Sequence, residues 1–537
     1  MVVSTNRINC KFAYQMFRIN YFLIVAILIF LSCDDNNPNT HTLTTNIIPE
    51  NAGTILPSSN IEVEEDSKVE LSAIAEEGYR FKNWTGNVTS TENPLELIIT
   101  SDTEITANFI ENNSSDAPQY PCINGLAKNT YPCAGLDLYA HLTPSQLGGN
   151  GLNDIWGWKD PKTEKLYAIV GLTDGISFVD ITNPNAPIVV GNLDESSISA
   201  KRLNLNNLDN DLCKFGIGST QRAKSITEGS VWRDHKVYND HLYIVSDAQA
   251  HGMQVFDLTR LRNCDCTRCS FTEDYLYNEI ANAHNIVINE QTSFAYVVGA
   301  TNNVNINSVN NCNDGGLHMI DLSNPVSPTF VGCYNDTKPP RRGSGSAYIH
   351  DAQCVIYNGS DAEYAGIELC FSSAERSVVI TDVSDKNNPV TVGFTTNPNV
   401  QYTHQGWLTE DHAFLVVNDE LDEYNLGRAT KTHIFDVRDL ENPSFIGSYT
   451  HSSNSIDHNL YIKNNKIYLT NYTSGLRVLQ FGDLSTLDIA EIAYFDSQPT
   501  NNNALFEGTW SNYPFFDEDI IIISDIEDGL FILKPNF

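Results

Sequence analysis

The sequence predicts an all-β fold: a seven-bladed β-propeller preceded by a small all-β module. The first observation is a strand signature that returns seven times between residues 150 and 537, an apolar run that usually follows glycine and usually ends in aspartate. It reads GISFVD at Gly175–Asp180, GMQVFD at Gly252–Asp257, GLHMID at Gly316–Asp321, SVVITD at Ser377–Asp382, KTHIFD at Lys431–Asp436, GLRVLQ at Gly475–Gln480 and GLFILK at Gly529–Lys534. Repeats at this spacing mark an array in which no unit buries its apolar face alone. The second observation is what flanks each signature. Another apolar run lies upstream, as at Leu166–Val170 and Phe414–Val417, and in several units a proline opens a short run downstream, at Pro187, Pro328, Pro389 and Pro443. Proline has no N–H for a ladder and suits an edge strand. One further strand ahead of these gives four per unit, the make-up of a propeller blade, and a closed ring hides most strand edges. A β-solenoid is the alternative, although its repeats are usually shorter and more uniform. The third observation is that the chain ends at Phe537, which leaves the last unit no outer strand. The alternating stretch Leu136–Leu142 (LDLYAHL) is expected to complete it by pairing with the C-terminal blade.

From the N-terminus, residues 1–33 read as a targeting segment. Arg18 precedes the apolar run Tyr21–Leu31, then Ser32 and Cys33. A basic start, an apolar stretch too short to span a bilayer comfortably and a small residue before the cleavage point are the parts of an export signal. Cysteine directly after the small residue resembles a bacterial lipoprotein signal, which makes Cys33 the lipidation site; a short membrane anchor is the alternative. Residues 34–40 begin with DDNNP and form a polar, turn-rich tether. The acidic pair behind the cysteine also resembles the surface-export signal of Bacteroidetes lipoproteins, which implies display at the outer membrane or cell surface. Residues 41–111 are rich in Thr, Asn and Glu, with alternating strands such as Val69–Ala73 and Leu95–Ile99. The segment Gly78–Gly86 (GYRFKNWTG), followed by Ile105–Phe109, resembles the divergent internalin B-type repeat, and Tyr79, Phe81 and Trp84 are expected to supply most of its core. Residues 112–120 are a linker, and 121–537 are the propeller.

A net charge of −35 over 537 residues argues against nucleic acid as a partner, because phosphates are bound through Lys and Arg. It suits calcium or basic partners, or simply a soluble exposed surface. Twelve cysteines fit an oxidising, exported setting. Setting aside Cys10 and Cys33, short loops pair Cys122 with Cys133, Cys312 with Cys333 and Cys354 with Cys370; Cys213, Cys264, Cys266 and Cys269 are left. Cys264–Cys269 (CDCTRC) has some look of a zinc site, but thiolate zinc sites usually show two CxxC pairs, and disulfides are the expectation.

Each innermost strand begins with a polar pair: Asp154-Ile155, Asp234-His235, His284-Asn285, His350-Asp351, His404-Gln405, His458-Asn459 and Gly508-Thr509. Innermost strands line a propeller's channel, so one residue per blade makes a ring. Asp154, Asp234, His284, His350, His404 and His458 together have the composition of a divalent-metal site, with zinc the first candidate. The competing reading is structural, since WD-type propellers repeat His and Asp merely to hydrogen-bond their turns. A second candidate is the loop Asn418–Glu423 (NDELDE), where Asp419, Glu420, Asp422 and Glu423 offer hard oxygens for calcium. It lacks the EF-hand order, and a solvated acidic loop is the alternative.

Several of these stretches occur in order: Asn153–Trp158 (NDIWGW), Trp232–Asp234, Asp247–Leu258 (DAQAHGMQVFDL), His350–Cys354, Thr403–His412 (THQGWLTEDH), Asp457–Tyr461 and Gly508–Trp510. Together they resemble the choice-of-anchor B family of LVIVD-repeat proteins. That resemblance implies a surface propeller and no established enzyme activity. The expected function is a lipid-anchored binding or scaffold module for an extracellular protein or glycan. The alternatives are a metal-dependent hydrolase built on the channel ring and a structural part of an adhesion or secretion complex. No GxSxG, P-loop or HExxH is present. Cells given a labelled lipid precursor should incorporate it into the wild-type chain and lose that incorporation in Cys33→Ala; equal labelling of both would remove the anchor from the reading.

Overall fold

The computed structural model describes residues 39–537 apart from 58–59, 77–78, 91–92, 112–116, 197–229, 265–267, 302–311, 313–314 and 344. The signal segment with Cys33, most of the tether, part of the linker, Cys213 and Cys266 lie outside the described residues. The chain divides into two compact units, 1–113 and 114–537.

In the first unit, period-two alternation makes two sheets around one core. One runs Ile61–Glu64, Thr40–Ile48, Thr103–Glu111, Tyr79–Gly86, with the middle two parallel; the other runs Gly53–Leu56, Ser67–Ala75, Leu95–Ile99. Trp84 is fully buried, while Tyr79 and Phe81 only pack against the core from its margin. Most of the apolar contact instead comes from Leu43, Leu71, Leu97, Ile99, Ile105 and Phe109, because a two-sheet core is filled by every second residue of every strand.

The second unit is seven antiparallel blades. Blade one is Leu152–Lys159, Leu166–Leu172, Gly175–Asp180 and Ile188–Asp194, and each later blade repeats this order. Each innermost strand packs against the next, and the last, Thr509–Tyr513, packs against the first, so the ring is closed. Blade seven takes its outer strand from Leu136–Leu142, paired antiparallel with Gly529–Pro535.

The structure also explains the signature. At its far end Asp180, Asp257, Asp321, Asp382 and Asp436 each accept a hydrogen bond from the N–H two residues on, closing the turn to the outer strand. At its near end Gly175, Gly252, Gly475 and Gly529 take a positive φ against the outer strand. A Cβ on Gly475 would meet the Phe495 carbonyl oxygen at 2.1 Å, and one on Gly529 the Leu142 oxygen at 2.1 Å. The outer strands begin one residue after each proline, at Ile188, Thr329, Val390 and Ser444. Two edges receive extra cover: Cys269–Phe271 adds a parallel strand to blade one, and Tyr131–Ala134 an antiparallel strand to blade six. The pairs Cys122–Cys133, Cys312–Cys333 and Cys354–Cys370 are formed, and Cys264 is bonded to Cys269.

The closing strand packs on both sides. Leu136 and Leu138 join Phe495, Ile523 and Phe531 towards blade six, and Ala140 and Leu142 join Leu152, Val170 and Ile532 towards blade one. A bulge between Leu138 and Ala140 switches the face. Leu138→Ala should therefore cost about 2 to 5 kcal/mol in urea unfolding, whereas Ile188→Ala, exposed on an outer strand, should stay within about 0.5 kcal/mol. Equal losses would mean that closure is not where the stability resides.

Candidate functional site

The channel is polar because strand pleat turns alternate residues of seven innermost strands towards one axis. One level is made by Asp154, Asp234, Asn285, Asp351, Gln405, Asn459 and Trp510, which with Lys236, Trp407 and Tyr461 line a cavity of about 30 Å³, room for about two waters. This corrects the expected ring. Asp154 and Asp234 lie level with Asn285, Asp351, Gln405 and Asn459 and not with the histidines. The strands Leu152–Lys159 and Arg233–Tyr238 begin ahead of their aspartates, whereas the strands of blades three, four and six begin at Asn285, Asp351 and Asn459, one residue past the histidine. The pleat sends the strand residue inward and leaves the histidine at the mouth.

The cation between the two aspartates is Lys236, whose Nζ lies 3.1 Å from Asp154 Oδ2 and 2.5 Å from Asp234 Oδ1, with the Trp156 ring 4.6 Å away. Burial raises Asp234 well above the usual carboxylate range, helped by Asp154; burial acts on Asp154 too, but Lys236 and the hydrogen bond from Asp234 hold it below that range. Two carboxyls sharing one proton against one ammonium leave the Asp154, Asp234 and Lys236 group without net charge.

At the mouth the four histidines form a contiguous arc. Ring centroids are 4.3 Å apart from His284 to His350, 4.2 Å from His350 to His404 and 4.4 Å from His404 to His458. They lie side by side along neighbouring blades, each pair tilted by 40 to 53°, and do not face one another across the channel. Three are anchored through Nδ1: His350 to the His404 carbonyl at 2.9 Å, His458 to the Trp510 carbonyl at 2.7 Å and His284 to Asp247 Oδ2 at 2.8 Å. A bond from Nδ1 to a carbonyl fixes the tautomer that leaves Nε2 an unprotonated lone pair. Burial and neighbouring imidazoles hold His350 and His404 well below the usual range, and burial lowers His458 to about 3. For His284 burial opposes the charge, but the hydrogen bond and charge of Asp247 raise it.

The acidic loop is neither solvated nor a single calcium cradle, because its four carboxylates part company. Glu420 reaches the mouth, 3.7 Å from His404 Nε2 and 3.7 Å from His458 Nε2, and accepts a 3.1 Å bond from the Tyr472 hydroxyl. Burial raises its carboxyl to about 7. Asp419 accepts from the N–H groups of Gln401 and Tyr402 and gathers with Asp422 and His433, and Asp422 is ion-paired to Arg428. Glu423 accepts from the N–H groups of Lys431 and Asp457. Asp419, Asp422 and Glu423 are fully buried, held inward by a short helix at Asp422–Leu426. Glu420, Asp247 and Tyr472 were not among the expected channel residues. The signal for Asp247 is an acidic residue recurring after the second apolar run of a unit, at Asp174, Asp247, Asp419 and Asp525; Glu420 lies one residue past such a position, and no repeated residue marks Tyr472.

Residues 43–113 match the divergent InlB B-repeat domain, and residues 166–195 and 312–336 match the LVIVD repeat. The chain is thus an LVIVD-repeat propeller with an N-terminal divergent InlB B-repeat module. No curated protein matches it. Among solved structures it is similar to a protein from Lactobacillus plantarum, at 10% identity over 70% of this chain and 89% of that one with a TM-score of 0.41. It is also similar to the β-propeller domain of Cps50 (Swd1) from Myceliophteria thermophila, at 9% identity over 72% and 98% with a TM-score of 0.41. Kuenenia stuttgartiensis hydrazine synthase matches at 11% identity over 69% and 92%, again at 0.41. Likeness at this level carries no functional argument.

Burial, and then the charge of Asp457, raise Glu423 to about 9. A carboxyl that holds its proton more tightly when folded contributes stability that is full below about pH 4.3 and is lost as the pH rises through about 9. Glu423→Gln keeps the neutral form, so at pH 8.5 it should be more stable than wild type by about 1 to 3 kcal/mol in urea unfolding, with little difference at pH 4.5. Parallel pH profiles would show that the folded chain holds Glu423 ionised.

Proposed function

We propose that the protein is an exported, lipid-anchored binding module whose propeller holds an extracellular glycan or protein at the channel mouth. The observation that carries this is an exposed apolar rim around an otherwise polar mouth. Tyr424 is 58% exposed and Phe506 43% exposed, their rings 5.7 Å apart, and Phe506 rests 5.6 Å from Tyr472, which packs 4.4 Å from His458. Leu426 and Leu505 are exposed beside them. Trp232 is exposed ahead of blade two's innermost strand, and its carbonyl accepts from the N–H of Asp247, the partner of His284. Large apolar side chains exposed together and edged by carboxylates are the usual form of a recognition surface, and flat rings with nearby acceptors suit the faces and hydroxyls of sugars.

The rest of the chain supports this reading. Cys33 and the polar tether supply a membrane anchor, the InlB-type module a spacer, and the disulfides suit an oxidising exterior. A charge of −35 argues against nucleic acid as the natural partner. The alternative, a metal-dependent hydrolase, is favoured by the unprotonated Nε2 atoms at the mouth and requires turnover of an ester, amide or phosphoester by metal-loaded protein. On a glycan array the full chain should bind a defined subset of sugars, and Tyr424→Ala with Phe506→Ala should weaken that binding at least tenfold without changing the melting temperature. Binding that survives both substitutions would place the ligand elsewhere. Absence of any glycan binding, together with hydrolysis by the metal-loaded protein, would replace this reading with the enzyme.

A further inference from the structure

We infer that His350, His404 and Glu420 form a three-ligand site for a divalent transition metal of the zinc class at the channel mouth, with a fourth position open to water or ligand. The ligand atoms of these three residues all lie within 4.8 Å of one another. Glu420 Oε2 and His404 Nε2 are 3.7 Å apart. That is too long for a hydrogen bond and close to the edge of a zinc tetrahedron, about 3.4 Å for bonds of about 2.0 to 2.1 Å.

The surroundings are those of a metal site rather than of a hydrogen-bonded network. His350 spends its Nδ1 proton on the His404 carbonyl at 2.9 Å, which leaves Nε2 as a lone pair at the mouth. Glu420 has its other oxygen, Oε1, held by the Tyr472 hydroxyl at 3.1 Å, which orients the carboxylate as an outer partner orients a metal ligand. His404 is only 3% exposed, its ring packed between those of His350 and His458. Two imidazoles and one carboxylate select zinc, copper, iron or nickel over calcium and magnesium, which prefer all-oxygen shells. The two-His, one-Glu set also matches zinc sites that keep an open position. His458 and His284 continue the arc on either side and supply polar neighbours to whatever occupies it.

The site belongs to the propeller and stands whether or not the aromatic rim binds a glycan. The test uses the full chain, stripped with a chelator and titrated with zinc by calorimetry, and separately with cobalt(II), whose visible absorption reports tetrahedral coordination by nitrogen and oxygen. The expected result is one equivalent per chain, lost at least tenfold in affinity in His350→Ala/His404→Ala and in the near-isosteric Glu420→Gln. Tyr424→Ala/Phe506→Ala and His241→Ala, the latter at a strand edge away from the mouth, should leave it unchanged. Circular dichroism melting of each variant separates loss of metal from loss of fold, and Glu420→Gln keeps the test open should the double alanine variant fail to fold. No stoichiometric metal in the wild type overturns the inference, and so does an equivalent that survives Glu420→Gln or moves to His433→Ala as the variant that loses it.

Discussion

The propeller depends on one β pairing between segments nearly a whole chain apart. Leu136–Leu142 joins Gly529–Pro535, and through it blade seven gains its fourth strand and the first and last innermost strands meet. The pairing is stabilised from both sides, by Leu136 and Leu138 in the apolar layer towards blade six and by Ala140 and Leu142 in the layer towards blade one. Opening it would expose both layers and two strand edges together, so its contribution is cooperative rather than that of a single strand. It is also non-local in the extreme, which places it late in folding, after the blades whose contacts are hairpins.

Closure brings the main chain of every innermost strand close to its neighbour, and polar side chains then bond from one blade to the next. Asn285 donates to the His350 carbonyl, Asn459 to the Trp510 carbonyl, and Gln405 both donates to the carbonyl and accepts from the N–H of Leu460. Asp234 accepts from the N–H of Ile286. At this inner level the polar side chains serve the structure, and their bonds run between blades rather than to turns within one blade. Buried groups satisfied this way favour one closed geometry, because each bond exists only at one inter-blade spacing.

The mouth is different in kind. His350 and His458 use Nδ1 for the same inter-blade stitching and leave Nε2 as a lone pair, and a carboxylate from the second strand's far end turns in towards the arc. Above it the exposed rings of Tyr424 and Phe506 rest on Tyr472, which holds Glu420. Rim, carboxylate and imidazoles are in contact, so a ligand on the rim would sense the charge state of the residues below.

By itself the sequence determined the seven units, the proline-led outer strands, the closing role of Leu136–Leu142 and three short-loop disulfides, because each rests on local periodicity, turn chemistry or a short loop. The histidine arc was legible as a repeated residue at one place in successive units. The grouping of Asp154 and Asp234 with it was not, since a shift of one residue in where a strand enters its ladder exchanges channel for mouth, and no local pattern fixes that phase. Only the tertiary structure decided that Lys236 is the cation between those aspartates, and that Glu420 leaves its acidic loop to join His350 and His404. Those meetings join residues from different blades, and the distance between blades is set by ring closure, a property of the whole chain that no segment of it contains.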